Sequence, residues 1–406
     1  MEDFVMSGHA SISDSFTDII GQNDTEKLNV TYYNYHNNFP DPPTPTEKIL
    51  QSIINVLDQY GVPSLLTIGV FSNVFLSITI RNSELKKIAA CCYFYASSIV
   101  DTLYLIVMAI PWVSMRIVDI YNMEGFCQLV YYLNLLTTFL STWYVAMLLV
   151  ERVIICYRPS TAERYFNAFR TKCYITTVSI FAIVGHLYLT WTSAVSYNQI
   201  YRTRLCFVIP ENSQDIMVMR KIDTVLAFIL PVAICVLLIM PLSVFLCASN
   251  FKCTDGILRV RTKVITVEVR LNSKKRRQKY TECPSCSTQT DKIQKQRLIM
   301  FSQSRRLTLA AVVMAVVFLV LSVPQNIIKS KITFLNGDYI RTPGDVYILK
   351  LFEEFYKINF VYKGVIYFTI LPEMRTNIVN LVLRICRRAN KSKRAQRQDN
   401  IIVTTL

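Results

Sequence analysis

The sequence has very few histidines and few charged residues. Three histidines occur among 406 residues, His9, His36 and His186, and they form neither a metal cluster nor a nucleophile with its base. Charged residues make up 18% of the chain and hydrophobic residues 52%, which is too apolar for a soluble globular protein. We therefore expect a protein that lies mostly in lipid, without enzymatic activity, a metal or a nucleic-acid partner.

The sequence contains seven long apolar runs. Each has about 20 residues or more, enough to cross a hydrocarbon core of about 30 Å as a helix. The runs are continuous, whereas the strands of a membrane β-barrel would alternate. They cover approximately residues 53–80, 88–115, 126–156, 173–197, 224–248, 307–329 and 346–371. The sequence predicts an all-α, seven-transmembrane-helix bundle over residues 51–371, with these runs as spans one to seven.

Positive charge is concentrated in the connections after spans one, three and five. Because Lys and Arg are retained on the cytoplasmic side, the N-terminus is expected outside the cell and the tail inside. Residues 1–50 are expected to be an extracellular, disordered segment with N-glycosylation at Asn23 and Asn29, each of which begins an Asn-x-Thr acceptor. No cleavable signal peptide is evident, so the first span is expected to act as the insertion signal.

Two further segments are predicted on the inner side. Residues from about 250 to 300 are basic and poor in apolar side chains, so we expect a largely disordered loop that is attracted to anionic membrane lipid. Residues 372–406 are expected to form a short amphipathic helix on the membrane and then the tail. Cys386 is a candidate for palmitoylation. The ending from Thr404 to Leu406 resembles a ligand of a PDZ domain.

Two cysteines lie on the predicted outer side of the membrane. Cys127 opens span three, and Cys206 lies in the connection after span four. A disulfide between them is expected because that side is oxidising, and two buried thiols are the alternative. The sequence YRTRLCFVIP around Cys206 alternates in character and predicts a β-hairpin, which the bridge would hold over the bundle.

Glu151 and Arg152 stand side by side at the inner end of span three. Ionisable groups within a membrane helix are energetically unfavourable and usually mark a functional site. Adjacent helical residues point about 100° apart, so the two groups can pair in one state and separate in another, which would make a switch. The alternative is an arginine that extends to the lipid headgroups beside a solvated glutamate.

From Asn73 to Arg375 the chain resembles the rhodopsin-like family of G-protein-coupled receptors. Cys127 lies twenty-five residues before Arg152, in a span that ends ERVIICYRP. Other matching positions are Asn73, Asp101, Pro231, Pro324 and Tyr367. The resemblance implies a plasma-membrane receptor that couples an outside ligand to nucleotide exchange on a heterotrimeric G protein, with arrestin as a further partner. It also implies that Glu151, Arg152 and Tyr367 form the activation switch.

Several positions depart from the family's pattern. Span seven has Lys363 where members carry the asparagine of an Asn-Pro pair, and span six has Ser322 in place of a tryptophan. The inner start of span six has Arg305 and Arg306 where an acid is usual. An ion pair between Arg152 and a span-six carboxylate is therefore not expected, and the resting state would depend on the neighbouring glutamate.

Members of the family often hold a sodium ion beside the span-two aspartate. This chain keeps Asp101, Ser141 and Asn359 at the matching positions, with Asn73 in the same polar core, and places Lys363 at the fourth. We predict that Lys363 replaces the sodium ion, because a buried lysine beside a buried aspartate is far less unfavourable than either charge alone. The alternative is a neutral Lys363, or one directed at an inner water-filled cavity.

The ligand is constrained by two positions. Asn134 stands where amine receptors of this family carry an aspartate, so an amine is not expected. Lys357 stands where opsins carry the lysine that binds retinal, so an opsin-like photoreceptor is an alternative, but the two counterion positions are Val130 and Ile200. Glu353, four residues earlier on the same helical face, offers Lys357 an ordinary ion-pair partner.

A peptide fits the remaining residues best. Charged groups of both signs crowd the predicted mouth and can bind the termini and side chains of a peptide. The ligand-binding candidates are Trp112, Tyr131, Asn134, Arg202, Arg204, Gln325, Lys329, Glu353 and Lys357. Span three also resembles invertebrate peptide receptors, so a neuropeptide is the predicted ligand. A transporter is a further alternative, although the sequence has no internal repeat and no interrupted pair of half-helices.

Overall fold

The protein is described here from a computed structural model, in which residues 44–198, 203–208, 213–248, 284–334, 343–372, 374–379 and 383 are placed. The described residues form packed α-helices and one two-stranded β-hairpin. The predicted helical class and the predicted hairpin are both confirmed. Asn23, Asn29, Arg202, Cys386 and the chain ending lie outside the described residues.

Six described helices are long and apolar enough to cross a membrane. They are α1 (Pro45–Arg81), α2 (Ala89–Ser114), α3 (Phe126–Tyr157), α4 (Ala168–Thr192), α5 (Met217–Ala248) and α6 (Pro284–Phe334, with its apolar part at Gln303–Phe334). A short helix, Pro159–Tyr165, connects α3 to α4. These six correspond in position to the first six predicted spans.

The seventh predicted span is a helix in three pieces, here called α7. It consists of Pro343–Lys357, a 3-10 turn at Ile358–Phe360, and Tyr362–Ile370. Its first piece carries several charges, and the turn interrupts its length, so α7 does not reach the length and hydropathy of the other six. The described helices of spanning composition thus number six where the sequence predicts seven.

Helix α3 lies at the centre of the bundle and packs against α2, α4, α5 and α6. Helix α1 packs against α2 and α7, and Gly69 allows this close approach, since a Cβ there would meet Leu105 of α2 and lie 2.9 Å from Val361 Cγ2 of α7. The outward faces of α4 and α5 expose large apolar side chains such as Phe181 and Leu237. An apolar outer face around a packed interior is the pattern expected for helices in lipid.

The first helix begins earlier than predicted, because Pro45–Val56 is helical whereas residues up to 50 were expected to be disordered. Thr44 and Glu47 form a capping box: the Thr44 hydroxyl accepts from Glu47 N at 3.3 Å, and Glu47 Oε2 accepts from Thr44 N at 2.9 Å. Pro45 follows at the first helical position, where its missing N–H is tolerated. These local signals outweigh the polar composition of the segment.

The fourth predicted span is too long at its end, because Ser193–Asn198 is strand β1 and not helix. Strand β1 pairs antiparallel with β2 (Thr203–Val208), and Val195 lies opposite Cys206. Apolar composition alone does not separate a helix from a strand over such a short length. The backbone of this segment is satisfied by its partner strand, which the composition of the run does not reveal.

Helix α6 also differs from the prediction, since it begins at Pro284 within the segment expected to be a loop from 250 to 300. Residues 284–300 are rich in Lys, Gln and Arg, which are good helix formers. Low apolar content therefore did not exclude a helix here. Beyond α7, residues 374–379 are helical with Met374 buried, as expected for the start of a short amphipathic helix.

Candidate functional site

A buried ion pair joins α2 and α7 in the middle of the bundle. Lys363 Nζ lies 3.0 Å and 2.9 Å from the two carboxylate oxygens of Asp101, and 2.6 Å from Ser141 Oγ on α3. Ser141 in turn donates to Asp101 Oδ1 at 2.8 Å. All three residues are at most 5% exposed. The lysine predicted to occupy this polar core is thus placed with its ammonium against the aspartate and the serine.

The two asparagines predicted for the same core lie beside this pair and bond to other groups. Asn73 Nδ2 donates to the Phe360 carbonyl at 2.8 Å, at the 3-10 turn of α7 where the regular helical bonds are interrupted. Asn359 Nδ2 donates to Ser322 Oγ of α6 at 3.0 Å. These two amides therefore attach the interrupted part of α7 to α1 and α6. The described hydrogen bonds of Asp101 go to Ser141 and Lys363 instead.

Glu151 and Arg152 form a second buried ion pair, at the end of α3 far from the hairpin. Arg152 Nη2 donates to Glu151 Oε1, and the two residues are 2% exposed or less. In this buried place Glu151 Oε2 and Arg152 Nε have no hydrogen-bond partner among the described residues. Buried charged groups with unmet hydrogen bonds are energetically unfavourable, so a second partner that satisfied them would lower the free energy.

Helix α6 approaches this pair without supplying a carboxylate in its described side chains. Cys156 Sγ lies 3.7 Å from Thr308 Oγ1 across the α3–α6 contact. Arg305 is half-buried and Arg306 is exposed. Among the described residues, Arg152 forms its ion pair with Glu151.

Tyr367 lies between α2, α6 and α7 near the same end. Its hydroxyl is 2.6 Å from Met314 Sδ, and its ring centroid is 4.0 Å from that of Phe94. One turn earlier, the Tyr362 hydroxyl donates to the Met314 carbonyl at 2.9 Å. The two tyrosines therefore fasten the last piece of α7 to one position on α6.

The hairpin covers the opposite end of the bundle. The disulfide between Cys127 and Cys206 is confirmed, with a Cα–Cα distance of 5.6 Å. Gln128 Nε2 donates to the Ser193 carbonyl at 3.1 Å, and Cys206 N donates to Asn122 Oδ1 at 3.1 Å. The start of α3 and the loop before it thus hold both strands in place. We call this the hairpin end, and the opposite one the Arg152 end.

The candidate ligand residues at the hairpin end include exposed side chains, a buried amide and an ion pair between helices. Arg204 and Asn134 are exposed, whereas Gln325 is 1% exposed and neither of its amide atoms has a hydrogen-bond partner among the described residues. Lys329 and Glu353 lie 4.0 Å apart between α6 and α7. These five predicted residues thus come from four elements at one end of the bundle: β2, α3, α6 and α7.

Lys357 has a different ion-pair partner from the one predicted. Its Nζ lies 2.5 Å from Glu354 Oε1, three residues earlier, and not on Glu353. Glu353 is turned toward α6, where Lys329 lies. The spacing of four residues is compatible with a pair on an isolated helix, but a neighbouring helix offers the carboxylate a competing cation. Within the described ranges no group of three or more His, Cys, Asp and Glu residues could hold a metal ion.

Two helices contain a π-helical segment near the hairpin end, Leu57–Gly61 in α1 and Thr224–Ile229 in α5. A neighbouring indole donates into each. Trp112 Nε1 bonds the Asp58 carbonyl at 2.9 Å, and Trp143 Nε1 bonds the Leu226 carbonyl at 3.0 Å. A π turn inserts one residue into the helix, so it changes the angular position of the residues before it relative to the residues after it. The indole hydrogen bonds therefore stabilise the helical register that orients the charged residues in or just before each π segment.

Sequence reasoning missed most of those charged residues. Arg116 donates to Asp58 Oδ2 at 2.6 Å and lies 4.6 Å from the centre of the Trp112 ring, which ties α1 to α2. Trp112, predicted to contact ligand, is therefore part of this inter-helix contact. On α5, Arg220 donates to the Tyr131 hydroxyl of α3. A charged residue at the edge of an apolar run was the available signal, but its partner depends on the π register.

His186 joins α4 to α5 from the turn at residues 186–188, which separates the two helical pieces of α4, Ala168–Gly185 and Leu189–Thr192. Its Nε2 is 3.2 Å from Asp223 Oδ1 on α5, and its Nδ1 is 2.8 Å from the Ala182 carbonyl. Tyr121 lies in the loop before α3, and burial raises the pKa of its hydroxyl to about 12.

Replacing Trp143 with phenylalanine tests the role of the indole on α5. The ring is kept, but the N–H that bonds the Leu226 carbonyl is lost. We expect a loss of about 1–2 kcal/mol in the free energy of unfolding, measured by thermal unfolding of the detergent-solubilised protein. Trp191→Phe is the matched control, because Trp191 is 62% exposed. Equal stability of the two variants would contradict the proposed role of the indole.

Comparison with known proteins adds no relative. No protein-family model matches the chain, and no curated protein shows significant similarity to it.

Proposed function

We propose that the chain is a receptor of the rhodopsin-like G-protein-coupled type, with seven membrane spans. Its ligand binds at the hairpin end, and it activates a heterotrimeric G protein at the Arg152 end. The observation that carries this proposal is the buried pair of Glu151 and Arg152, at the end of α3 opposite the disulfide-held hairpin. A buried cation whose partner is its own sequence neighbour can be transferred to another partner without unfolding its helix.

The count of seven spans rests on α7. Helix α7 packs along α1 and α6 over its three pieces, and its buried Lys363 is neutralised by Asp101 on α2. A lysine paired in this way is compatible with a membrane interior, although it lowers the apolarity by which spans are recognised. With α7 included, the chain crosses an odd number of times and its two ends lie on opposite sides of the membrane.

The proposed orientation follows from the basic residues at the Arg152 end. The connections and helix ends there carry a surplus of positive charge, which is retained on the cytoplasmic side. The basic residues described at this end are Arg81, Lys86, Lys87, Arg158, Arg164, Arg170, Lys172, Arg305 and Arg306. We therefore place the hairpin end and the N-terminus outside the cell, and the protein in the plasma membrane.

A line of contacts between α6 and α7 connects the two ends. It starts with Lys329 and Glu353 at the hairpin end and continues through the bond from Asn359 to Ser322. It ends where the Tyr367 hydroxyl meets Met314. A ligand that changes the first contact would shift α6 relative to α7, and the resulting change near Thr308 would alter the space around Arg152.

A peptide is the ligand class that best fits the hairpin end. Charges of both signs lie there in pairs. Asp58 pairs with Arg116 and Glu353 with Lys329 between helices, and Glu354 pairs with Lys357 within α7. Such pairs can exchange partners with the termini and side chains of a peptide. A neuropeptide is the proposed ligand, and arrestin and a PDZ protein are proposed as further inner partners.

One observation favours a second candidate, an opsin-like photoreceptor. Lys357 is largely buried beside Glu354, and a carboxylate at that place would act as the counterion of a protonated Schiff base. The same contact also serves as an ordinary ion pair, which needs no retinal. Adding retinal to the purified protein distinguishes the two: a visible absorption band that is absent in Lys357→Met would favour the photoreceptor.

The proposed function is tested by screening a neuropeptide library on cells that express the chain with promiscuous G proteins. We expect at least one peptide to stimulate nucleotide exchange, and Arg152→Ala to reduce that response at least about tenfold. Arg158→Ala, an exposed cation just beyond the end of α3, is the matched control and should respond like wild type. Solute flux into vesicles without any G protein would favour a transporter instead.

A further inference from the structure

The ring of His186 contacts two hydrogen-bond acceptors at the same time. Its Nδ1 is 2.8 Å from the Ala182 carbonyl, one turn earlier on α4, and its Nε2 is 3.2 Å from Asp223 Oδ1 on α5. The Phe139 ring of α3 packs against the imidazole at a centroid distance of 5.3 Å, and His186 is 5% exposed. The ring is therefore held in one orientation by contacts with α3, α4 and α5.

A neutral imidazole cannot satisfy both of these contacts. A carbonyl oxygen only accepts hydrogen bonds, so Nδ1 must carry a proton in order to bond Ala182. In a neutral ring this leaves Nε2 with a lone pair, which would face the carboxylate oxygen of Asp223. Two acceptors at this distance repel each other, whereas a protonated Nε2 donates to the carboxylate. The geometry thus requires a second proton on the side of the ring that faces α5.

The other ionisable groups around the pair do not exchange protons near neutral pH. Among the described residues they are Tyr188 of α4, Tyr131 of α3, Arg220 of α5 and Tyr356 of α7, which act on Asp223 or on one another. Tyrosine hydroxyls ordinarily lose their proton near about pH 10, and arginine stays charged throughout. Arg220, three residues before Asp223 on α5, adds a positive charge that favours an ionised carboxylate.

We infer that His186 and Asp223 form a proton-binding site that joins α4 to α5, with the proton held as an imidazolium against the carboxylate. A charge-assisted hydrogen bond of this kind is stronger than one between neutral groups. Asp223 directly precedes the π segment Thr224–Ile229, so the proton stabilises α5 at the point where its register changes. The proton site goes beyond the proposed function, and its presence does not depend on it.

The bound proton makes the stability of the fold depend on pH. A histidine in an unfolded chain loses its proton near about pH 6.5. If the folded protein keeps the proton above that pH, unfolding releases it, and stability must then fall as the pH rises. The contribution of the site is fully present below about pH 6.5 and is lost at the higher pH at which the folded site releases its proton.

Nitrogen NMR of labelled histidine counts the protons on the ring directly. The chain has three histidines, so the variant His9→Gln/His36→Gln leaves His186 as the only one. At about pH 7.5 a free imidazole is mostly neutral. For the protein in nanodiscs at this pH we expect both ring nitrogens to carry a proton. One protonated and one unprotonated nitrogen would overturn the inference.

Two matched variants in the same single-histidine background assign the proton to the pair. Asp223→Asn removes the charge that holds the imidazolium, so the ring should become neutral at the same pH. Glu124→Gln makes the equivalent change at an exposed carboxylate in the loop before α3 and should leave both protons in place. A ring that stays doubly protonated in Asp223→Asn, or that becomes neutral in Glu124→Gln, would contradict the assignment to Asp223.

Thermal unfolding as a function of pH tests the site without a label. From about pH 6 to about pH 9, the unfolding temperature of wild type should fall relative to that of His186→Gln by at least about 2 °C. The two proteins share every other titratable group, so the change in their difference reports the proton on His186. A difference that stays constant over this range would overturn the inference, and Asp223→Asn offers the same comparison if His186→Gln does not fold.

The failures of the two proposals are distinguishable, because neither measurement uses a peptide or a G protein. A neutral His186 ring at about pH 7.5 would remove the proton site and leave the proposed receptor function standing. A doubly protonated ring in a chain that no peptide activates would leave the proton site standing and count against the receptor function.

Discussion

Replacing Glu151 with glutamine is expected to raise ligand-independent nucleotide exchange about tenfold, equivalent to about 1.4 kcal/mol in the equilibrium between resting and active states. In the structure, Glu151 supplies the carboxylate that pairs with buried Arg152. Glutamine retains the shape and one acceptor oxygen but removes the charge, so the guanidinium loses its ionic partner in the resting state. Exchange on a purified G protein, with the chain in nanodiscs and no peptide added, measures the effect.

The control is a carboxylate at the same end of the bundle that is exposed to solvent. Glu84 lies 2.5 Å from Lys87, and this hydrogen bond lowers the pKa of Glu84 from its usual range. Its side chain is 83% exposed, so water replaces the interaction when it is lost. Glu84→Gln should leave basal exchange unchanged within about twofold. Unchanged basal exchange in Glu151→Gln would contradict the switch, and loss of stimulated exchange in both variants would point to a folding defect.

The composition of the chain predicts its helices well because a lipid environment requires long apolar segments. Six predicted spans have counterparts among the described helices. The errors occur at the ends, where local chemistry replaces the apolar rule. The capping box at Thr44 extends α1, and backbone pairing converts Ser193–Asn198 from the end of a span into a strand.

The two buried ion pairs were predictable for different reasons. Glu151 and Arg152 are sequence neighbours, so their proximity required no knowledge of the fold. Asp101 and Lys363 are 262 positions apart, and their contact was inferred from the resemblance of α2 and α7 to a known family. The structure places the lysine where that resemblance indicates.

Contacts that depend on an irregular backbone were not predictable. The carbonyls of Asp58 and Leu226 accept indole N–H groups within π segments, and no sequence pattern marks a π turn. The π segment of α5 lies just after Arg220, so the pairing of Arg220 with Tyr131 depends on the same irregularity. A carbonyl is present at every residue, so the composition cannot indicate which one a neighbouring helix will use.

Removing Lys363 alone is expected to destabilise the protein far more than removing it together with its partner. Lys363→Asn leaves the Asp101 carboxylate buried without a cation, and the loss of one member of a buried pair costs about 3–5 kcal/mol. In the double variant Asp101→Asn/Lys363→Asn both charges are absent, so most of that loss should be recovered. Thermal unfolding of the wild type, the two single variants and the double variant gives the coupling free energy.

The same variants test whether the Lys363 ammonium takes the place of a sodium ion. In wild type the ammonium lies against the oxygens of Asp101 and Ser141, so the unfolding temperature should be the same in sodium chloride as in potassium chloride. In Lys363→Asn these oxygens are left without a cation, and we expect sodium to raise the unfolding temperature where potassium does not. Lys87→Asn breaks an exposed ion pair and should be insensitive to the choice of cation. Sodium sensitivity in wild type would contradict the replacement, because a site already filled by an ammonium has no place for a second cation.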